Sequence, residues 1–270
     1  TRRPVFSEAA GTPPGDPVKR TLSQHDLLEA ICRDVSRRPD SPVSQTALGK
    51  CLVGLQSRRV GLASLASGLD SDGTAADLFL PDVGSSARDL AADLLSPGTQ
   101  ATDRASLAMA AANSLLPPPE VCSPDFGQAV LTTRGRGKNV AVIGHFPFVD
   151  EARPAFANFW VLEKHPQPGD CDATMADALL PRADLVAVTA TTLLNGTLAG
   201  ILNLCRPDAL VILLGPTTPF APSLFDCGID ILAGCDCHAP DTALAGVRRN
   251  LFFRKMEGVR QLAWEAAVSA

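Results

Sequence analysis

The chain has 270 residues, 46% of them hydrophobic, which is enough to bury a sizeable core and comfortable for two domains. A formal charge of −5 at pH 7 and a pI near 5.4 exclude the basic face of a nucleic-acid-binding protein. No apolar run is long enough to span a membrane, so no membrane partner is expected.

The opening stretch, TRRPVFSEAAGTPPGDPVKR (1–20), lacks the apolar core of a signal peptide, and its Pro and Gly content predicts a disordered tail. A cytoplasmic protein is therefore expected. Its eight cysteines should be reduced thiols, with Cys32, Cys51 and Cys205 acting as small core residues within apolar runs. The absence of tyrosine removes the phenol as a catalytic acid.

TLSQHDLLEAICRDVSRR (21–38) places apolar residues at 27, 28, 31 and 35 on one helical face, with Ser23 as N-cap and Pro39 as stop. From 45 to 66 the pattern is strand-like and predicts a hairpin turning near Ser57 and Arg58. SSARDLAADLLS (85–96) predicts a helix capped by Ser85 or Ser86. A further helix over 102–116 ends at three prolines. The first domain, 21–131, thus reads as α+β. The basic stretch TTRGRGKN (132–139) reads as a solvated linker opening the second domain, 132–270.

In that second domain NVAVIG (139–144), NFWVLEK (158–164), DLVAVTA (184–190), ALVILLG (209–215) and IDILAGC (229–235) are short apolar runs with helix-length segments between them. Such alternation predicts βαβ units and a mostly parallel sheet flanked by helices, an α/β fold whose ligands bind at the carboxyl ends of the strands.

The strand ends carry the chemistry. GHFPF (144–148) has the first glycine of a dinucleotide loop but not the others, so a generic dinucleotide dehydrogenase is not expected. His145 in this loop brings an imidazole, the side chain most often used for acid–base work. Glu163 follows Gly144 by 19 residues, the spacing of an acid that bonds a ribose. TATTLLNGT (189–197) offers Thr191, Thr192, Asn195 and Thr197 where a helix is expected to open, with Asn195 or Thr197 as its N-cap and its N-terminus aimed at an anionic or polar group. GPTTPFAPS (215–223) is a stiff loop with hydroxyls at Thr217, Thr218 and Ser223. GCDCH (234–238) brings metal-capable Cys235, Cys237 and His238. No second Cys pair of C-x-x-C type accompanies them, and a half-exposed thiol pair beside a pocket is the alternative to a metal site.

Taken together, VAVIGHFPF, VLEKHPQPGD, TATTLLNGTLAGIL and LLGPTTPFAPSLFDCGIDILAG resemble the putative heavy-metal chelation family over about 138–236. The resemblance implies a small enolase N-terminal-like domain followed by a Rossmann-like domain, with a site at their junction. The family's motif positions fall on Gly144, Pro147, Glu163, Thr191, Thr192, Asn195, Gly196, Gly215, Pro216, Thr218 and Pro219, and on Asn113 in the first domain. His145 and CDCHAP (235–240) depart from the family pattern.

Three functions follow as expectations. The first is an enzyme or binding protein for a small polar or anionic metabolite in biosynthesis, with His145, Glu163 and Asn195 as its catalytic groups. Gly144, Phe146, Pro147, Thr191, Thr192, Gly196, Thr197, Gly215, Thr217, Thr218 and Asn113 would line its site. The second is a binding protein for a transition metal or metal chelate. The third is an enzyme using S-adenosylmethionine or another adenosine ligand, with Glu163 on the ribose. The reaction class, and whether the chain forms a homo-oligomer, are left open by the sequence.

Overall fold

A computed structural model describes residues 21–66, 80–123 and 127–266; the tail expected over 1–20 lies outside them. Helix α1 (Gln24–Ser36) begins where the sequence places it. The Ser23 hydroxyl accepts from the Asp26 N–H, and Asp26 accepts in return from the Ser23 N–H. Leu27, Leu28, Ile31 and Val35 are all buried. Strands β1 (Gln45–Leu48), β2 (Leu52–Gln56) and β3 (Val60–Ser64) form an antiparallel sheet in the order β1-β2-β3. The turn between β2 and β3 falls at 57–59, and β1 adds a third strand to the expected hairpin.

Helices α2 (Ala87–Ala92), capped by Ser86, and α3 (Asp103–Leu115) cover this sheet. Ten of the 13 residues of α3 are buried, so the helix is enclosed on nearly every side. Its alanines let other backbones come close, and the approach is tightest at β3. A Cβ added to Gly61 would lie 2.1 Å from the Ala110 carbonyl oxygen and 2.4 Å from the Ser114 nitrogen.

The second sheet has seven strands in the order β10-β9-β8-β7-β4-β5-β6. They are β4 (Asn139–Ile143), β5 (Asn158–Glu163), β6 (Cys171–Asp172), β7 (Leu185–Thr189), β8 (Leu210–Leu214), β9 (Ile231–Cys237) and β10 (Val259–Glu265). All pairings are parallel except that of β10 with β9. The five expected strands are present. The two-residue β6 is too short for a periodic signal, and VRQLAWE of β10 lies beyond the last expected βα unit.

Helices α4 (Gly127–Gly135), α5 (Val149–Ala152), α6 (Ala176–Leu179), α7 (Thr191–Leu194), α8 (Leu198–Leu204) and α9 (Pro240–Arg248) fill the connections. The segment 132–139 is not a linker: its first half is the last turn of α4, and its final residue starts β4. Leu131 of this helix is fully buried against the large sheet.

One continuous core joins the two sheets. Residues of α1, β2, β3 and α3 pack with Ala141, Val186, Val188, Leu213 and Leu232 of the large sheet. Buried Asp34 of α1 fastens the contact. Its carboxylate accepts from both the backbone N–H and the hydroxyl of Ser223, each at 2.8 Å. Among the described residues no helix is long and apolar enough to cross a membrane.

Candidate functional site

In the large sheet, β5 and β6 lie on one side of β4, and β7, β8 and β9 on the other. The strand order therefore reverses between β4 and β7, and in open α/β sheets the crevice beyond such a reversal is where ligands bind. Gly144 ends β4 at this point with a φ of +100°, which an L side chain rarely adopts. A Cβ there would stand 3.1 Å from the Thr189 methyl across the crevice.

A cavity of about 1050 Å³ opens above the carboxyl ends of β4, β5, β7 and β8, at the upper end of small-molecule sites. The first unit closes it with Gly49, Cys51, Leu52, Ser64, Leu65, Ala66 and Ala101. The segment between α9 and β10 contributes Asn250 to Arg254. Among the described residues, Ala101 and Asn250 are the non-glycine positions with a left-handed backbone, and both line this cavity. Such conformations collect at functional sites because the surrounding structure must hold them.

The structure gathers thirteen of the sequence-derived residues in this wall: Gly144, His145, Phe146, Pro147, Glu163, Thr191, Thr192, Asn195, Gly196, Thr197, Gly215, Pro216 and Thr217. His145 is the most elaborately held. Its Nδ1 lies 2.9 Å from Asp170 Oδ2, which also accepts from the Gln167 N–H at 3.0 Å. The Asp170 side chain is 1% exposed and the imidazole 20%. The His145 N–H donates to Glu163 Oε2 at 2.9 Å, and the Lys164 N–H donates to Oε1 at 2.8 Å. The second strand end thus fixes the loop after the first. Asp170 was not singled out in the sequence. Its only signal there is its place in the Pro-Gly-rich stretch HPQPGD, which reads as a turn.

The Thr/Asn stretch differs from the expected helix start. A one-turn helix, α7, follows β7 directly, and Asn195 ends it. The Asn195 Oδ1 then accepts from the backbone N–H (3.2 Å) and hydroxyl (2.7 Å) of Thr197, which precedes α8 without capping it through its side chain. The surplus of hydroxyls is largely spent on this double turn. The Thr192 hydroxyl donates to the Thr189 carbonyl, and Thr189 and Thr191 bond each other at 3.0 Å. Neither α7 nor α8 presents a long dipole to a ligand.

Other residues fall elsewhere. Thr217 reaches the cavity wall, but its hydroxyl accepts from the Ser64 N–H at 2.9 Å. Asn113 does not line the large cavity. Its Nδ2 donates to the Leu62 carbonyl at 2.9 Å and the Thr217 carbonyl at 3.3 Å, tying β3 to the loop after β8. Asn113 and Thr218 instead border a pocket of about 20 Å³ between the two sheets. Cys235 and Cys237 pack beneath α9 in a cluster with Val60, Leu62 and Met256, while His238 is exposed and the large cavity excludes all three. Cys205 is a core residue as expected and Cys32 a partly buried one, but Cys51 is exposed at the hairpin between β1 and β2.

Known proteins agree with this fold. The chain is 32% identical over 124 residues to an uncharacterised protein of Methanocaldococcus jannaschii, a match covering 44% of this chain and 45% of that one. It spans less than half the length of that relative. A crystal structure of a protein of unknown function from the DUF364 family of Desulfitobacterium hafniense superposes with a TM-score of 0.75 at 22% identity, over 90% of this chain and 99% of the other. A DUF364 protein of unknown function from Pyrococcus horikoshii gives 0.74 at 18% identity, over 89% and 100%. The DUF364 profile, described as "Putative heavy-metal chelation", matches residues 128–264. That is just over half of its length, and the chain belongs to this family.

Proposed function

We propose that the cavity at the switch point binds a small organic molecule and that His145 exchanges a proton with it. The observation that carries this reading is His145 in the cavity wall, paired with the enclosed Asp170. A carboxylate can only accept, so it holds the imidazole proton on Nδ1 and leaves the Nε2 lone pair for a ligand. Asp170 is enclosed and also tied to the Gln167 N–H, so the ring is held in one orientation. This is the arrangement of an oriented general base. The cavity also carries Lys164, His165 and Arg254, against Glu163 as its acid, which suits a ligand with a carboxylate or phosphate.

A second reading narrows the ligand to an adenosine compound such as S-adenosylmethionine. Glu163 ends the strand beside β4, where an acid bonds ribose hydroxyls in dinucleotide folds. Its two backbone hydrogen bonds fix the carboxylate and still leave acceptor positions. The loop at 144–148 lacks the glycines that a pyrophosphate requires, in keeping with a ligand that has none.

The family description suggests a heavy metal. Among the described residues no three His, Cys, Asp or Glu side chains come together to hold one, so a resident three- or four-ligand centre does not fit this donor set. A thermal-shift comparison tests the proposal. Adenosine compounds, small carboxylates and phosphate esters are run against zinc, nickel and cobalt, with His145→Ala and Glu163→Gln beside the parent chain. Saturation at a hundred-fold excess over Kd is worth about 2.7 kcal/mol. An organic ligand that raises Tm in the parent and less in the variants supports the reading. Stabilisation by metal ions alone, unchanged in His145→Ala, contradicts it.

A further inference from the structure

Helix α8 turns one face to the large cavity. Thr197, Gly200, Ile201 and Leu204 all line it, at the i, i+3, i+4 and i+7 spacing of a single helical stripe. Gly200 lies in the middle of that stripe, where glycine weakens the helix relative to alanine. The fold gives no reason for it. Its backbone is helical, and a Cβ built there meets no atom within 4 Å. Every other glycine among the described residues either has a positive φ or stands where a Cβ would touch a neighbour. The missing side chain leaves bare backbone facing the cavity, an arrangement suited to the close approach of a ligand. Ala173 and Ala176 also line the cavity, and α6 packs against α8. In the pairing of β5 with β6, Glu163 stands opposite Asp172, so Ala173 directly follows the partner of that carboxylate.

We propose that a flat purine base lies against the α8 backbone at Gly200, between Ile201 and Leu204 on one side and Ala173 and Ala176 on the other, with its ribose reaching Glu163. This inference rests on the adenosine reading of the cavity and adds the part of the site that holds the base. A base stacks through its flat face, so the wall it meets must carry no side chain at the point of contact. The partly buried Ile201, Leu204 and Ala176 supply apolar contact around it. Ribose hydroxyls donate to the acceptor positions that the His145 and Lys164 N–H groups leave on the Glu163 carboxylate. The order of the elements, Glu163 beside Ala173 and α6 against α8, puts the acid at the ribose end of the slot.

The test is isothermal titration of the full chain with adenosine, comparing the parent with Gly200→Leu, Gly200→Ala and Glu163→Gln. Leucine at 200 fills the slot, and the expected rise in Kd is roughly ten-fold or more. Its Tm without ligand should stay at or above that of the parent, because leucine is the better helix former and enters open space. Gly200→Ala should raise Tm and weaken adenosine by a smaller factor. Should the circular dichroism of the leucine variant depart from the parent, the alanine variant decides in its place. Adenosine binding that weakens in Glu163→Gln but is unchanged in the Gly200 variants overturns this inference and leaves the adenosine reading standing. A lower Tm in Gly200→Ala, which would give the glycine a role in the fold itself, also overturns it. No adenosine binding by the parent overturns both.

Discussion

Replacing Gly61 by alanine probes the close backbone contact of β3 with α3 inside the first unit. The added methyl would meet three backbone atoms of α3: the Ala110 oxygen at 2.1 Å, the Ser114 nitrogen at 2.4 Å and the Asn113 carbonyl carbon at 2.8 Å. None belongs to a side chain that can rotate away. Ordinary contact begins at 3.4 Å, so α3 and β3 must separate by more than 1 Å. Nothing on α3 accommodates such a shift cheaply, because Met109, Ala110, Ala111 and Ala112 are fully buried. Overpacking of this kind costs about 1–3 kcal/mol, occasionally more, and a purely backbone clash belongs at the upper end. A loss of about 3 kcal/mol corresponds to roughly 6–12 °C in Tm for a domain of this size. The displacement also pulls on Asn113, whose amide joins Leu62 to Thr217, so the cavity wall should loosen with the fold. Urea denaturation followed by fluorescence of the two tryptophans measures the change. A Gly61→Ala chain within 0.5 kcal/mol of the parent would refute the packing argument.

Removing the buried carboxylate in Asp34→Ala leaves the Ser223 N–H and hydroxyl unpaired, and should cost about 2–4 kcal/mol in the same urea experiment; a neutral result would show that the α1 contact is not held by this group. Ala101 has a φ of +61°, strained by about 1–2 kcal/mol for an L residue, so Ala101→Gly should leave stability unchanged or raise it, where an ordinary Ala→Gly change lowers it; a loss of 1 kcal/mol would contradict the strain. Burial pushes the Cys32 and Cys205 thiols up to about 11, so their thiolate fraction is small at pH 8 and grows only as pH approaches that value. Iodoacetamide mapped by mass spectrometry at pH 8 should therefore mark exposed Cys51 well before either of them.

The parts of this molecule written in the sequence are those governed by local periodicity. The four apolar positions of α1 and its Ser23 cap, the three prolines after α3, and the five apolar runs of the large sheet each follow from side-chain spacing or turn chemistry. The position of the cavity follows too, since a parallel sheet collects its strand ends on one edge. What the sequence hides depends on tertiary contact. Asn113 reads as a helix end or a ligand group, and only the approach of β3 to the loop after β8 makes it a brace. Asn195 reads as an N-cap because Asn-Gly-Thr precedes an apolar run; in the fold a helical turn has already formed at Thr191, so Asn195 serves the break between two short helices. Asp170 carries no periodic signal, and its importance arises from a loop that folds back onto His145.

The central claim is that a ligand enters the large cavity and meets His145. The chain has four histidines, and they divide cleanly: His145 and His165 line the cavity, while His25 and His238 do not. Imidazole ¹⁵N–¹H spectra of the labelled protein, recorded while the most stabilising organic compound of the thermal-shift panel is added, report each ring separately. The account predicts that the free protein shows His145 with its proton on Nδ1, and that the His145 resonances move on titration while those of His25 and His238 stay in place. A His145 ring protonated on Nε2 alone, or movement confined to His25 and His238, would contradict it.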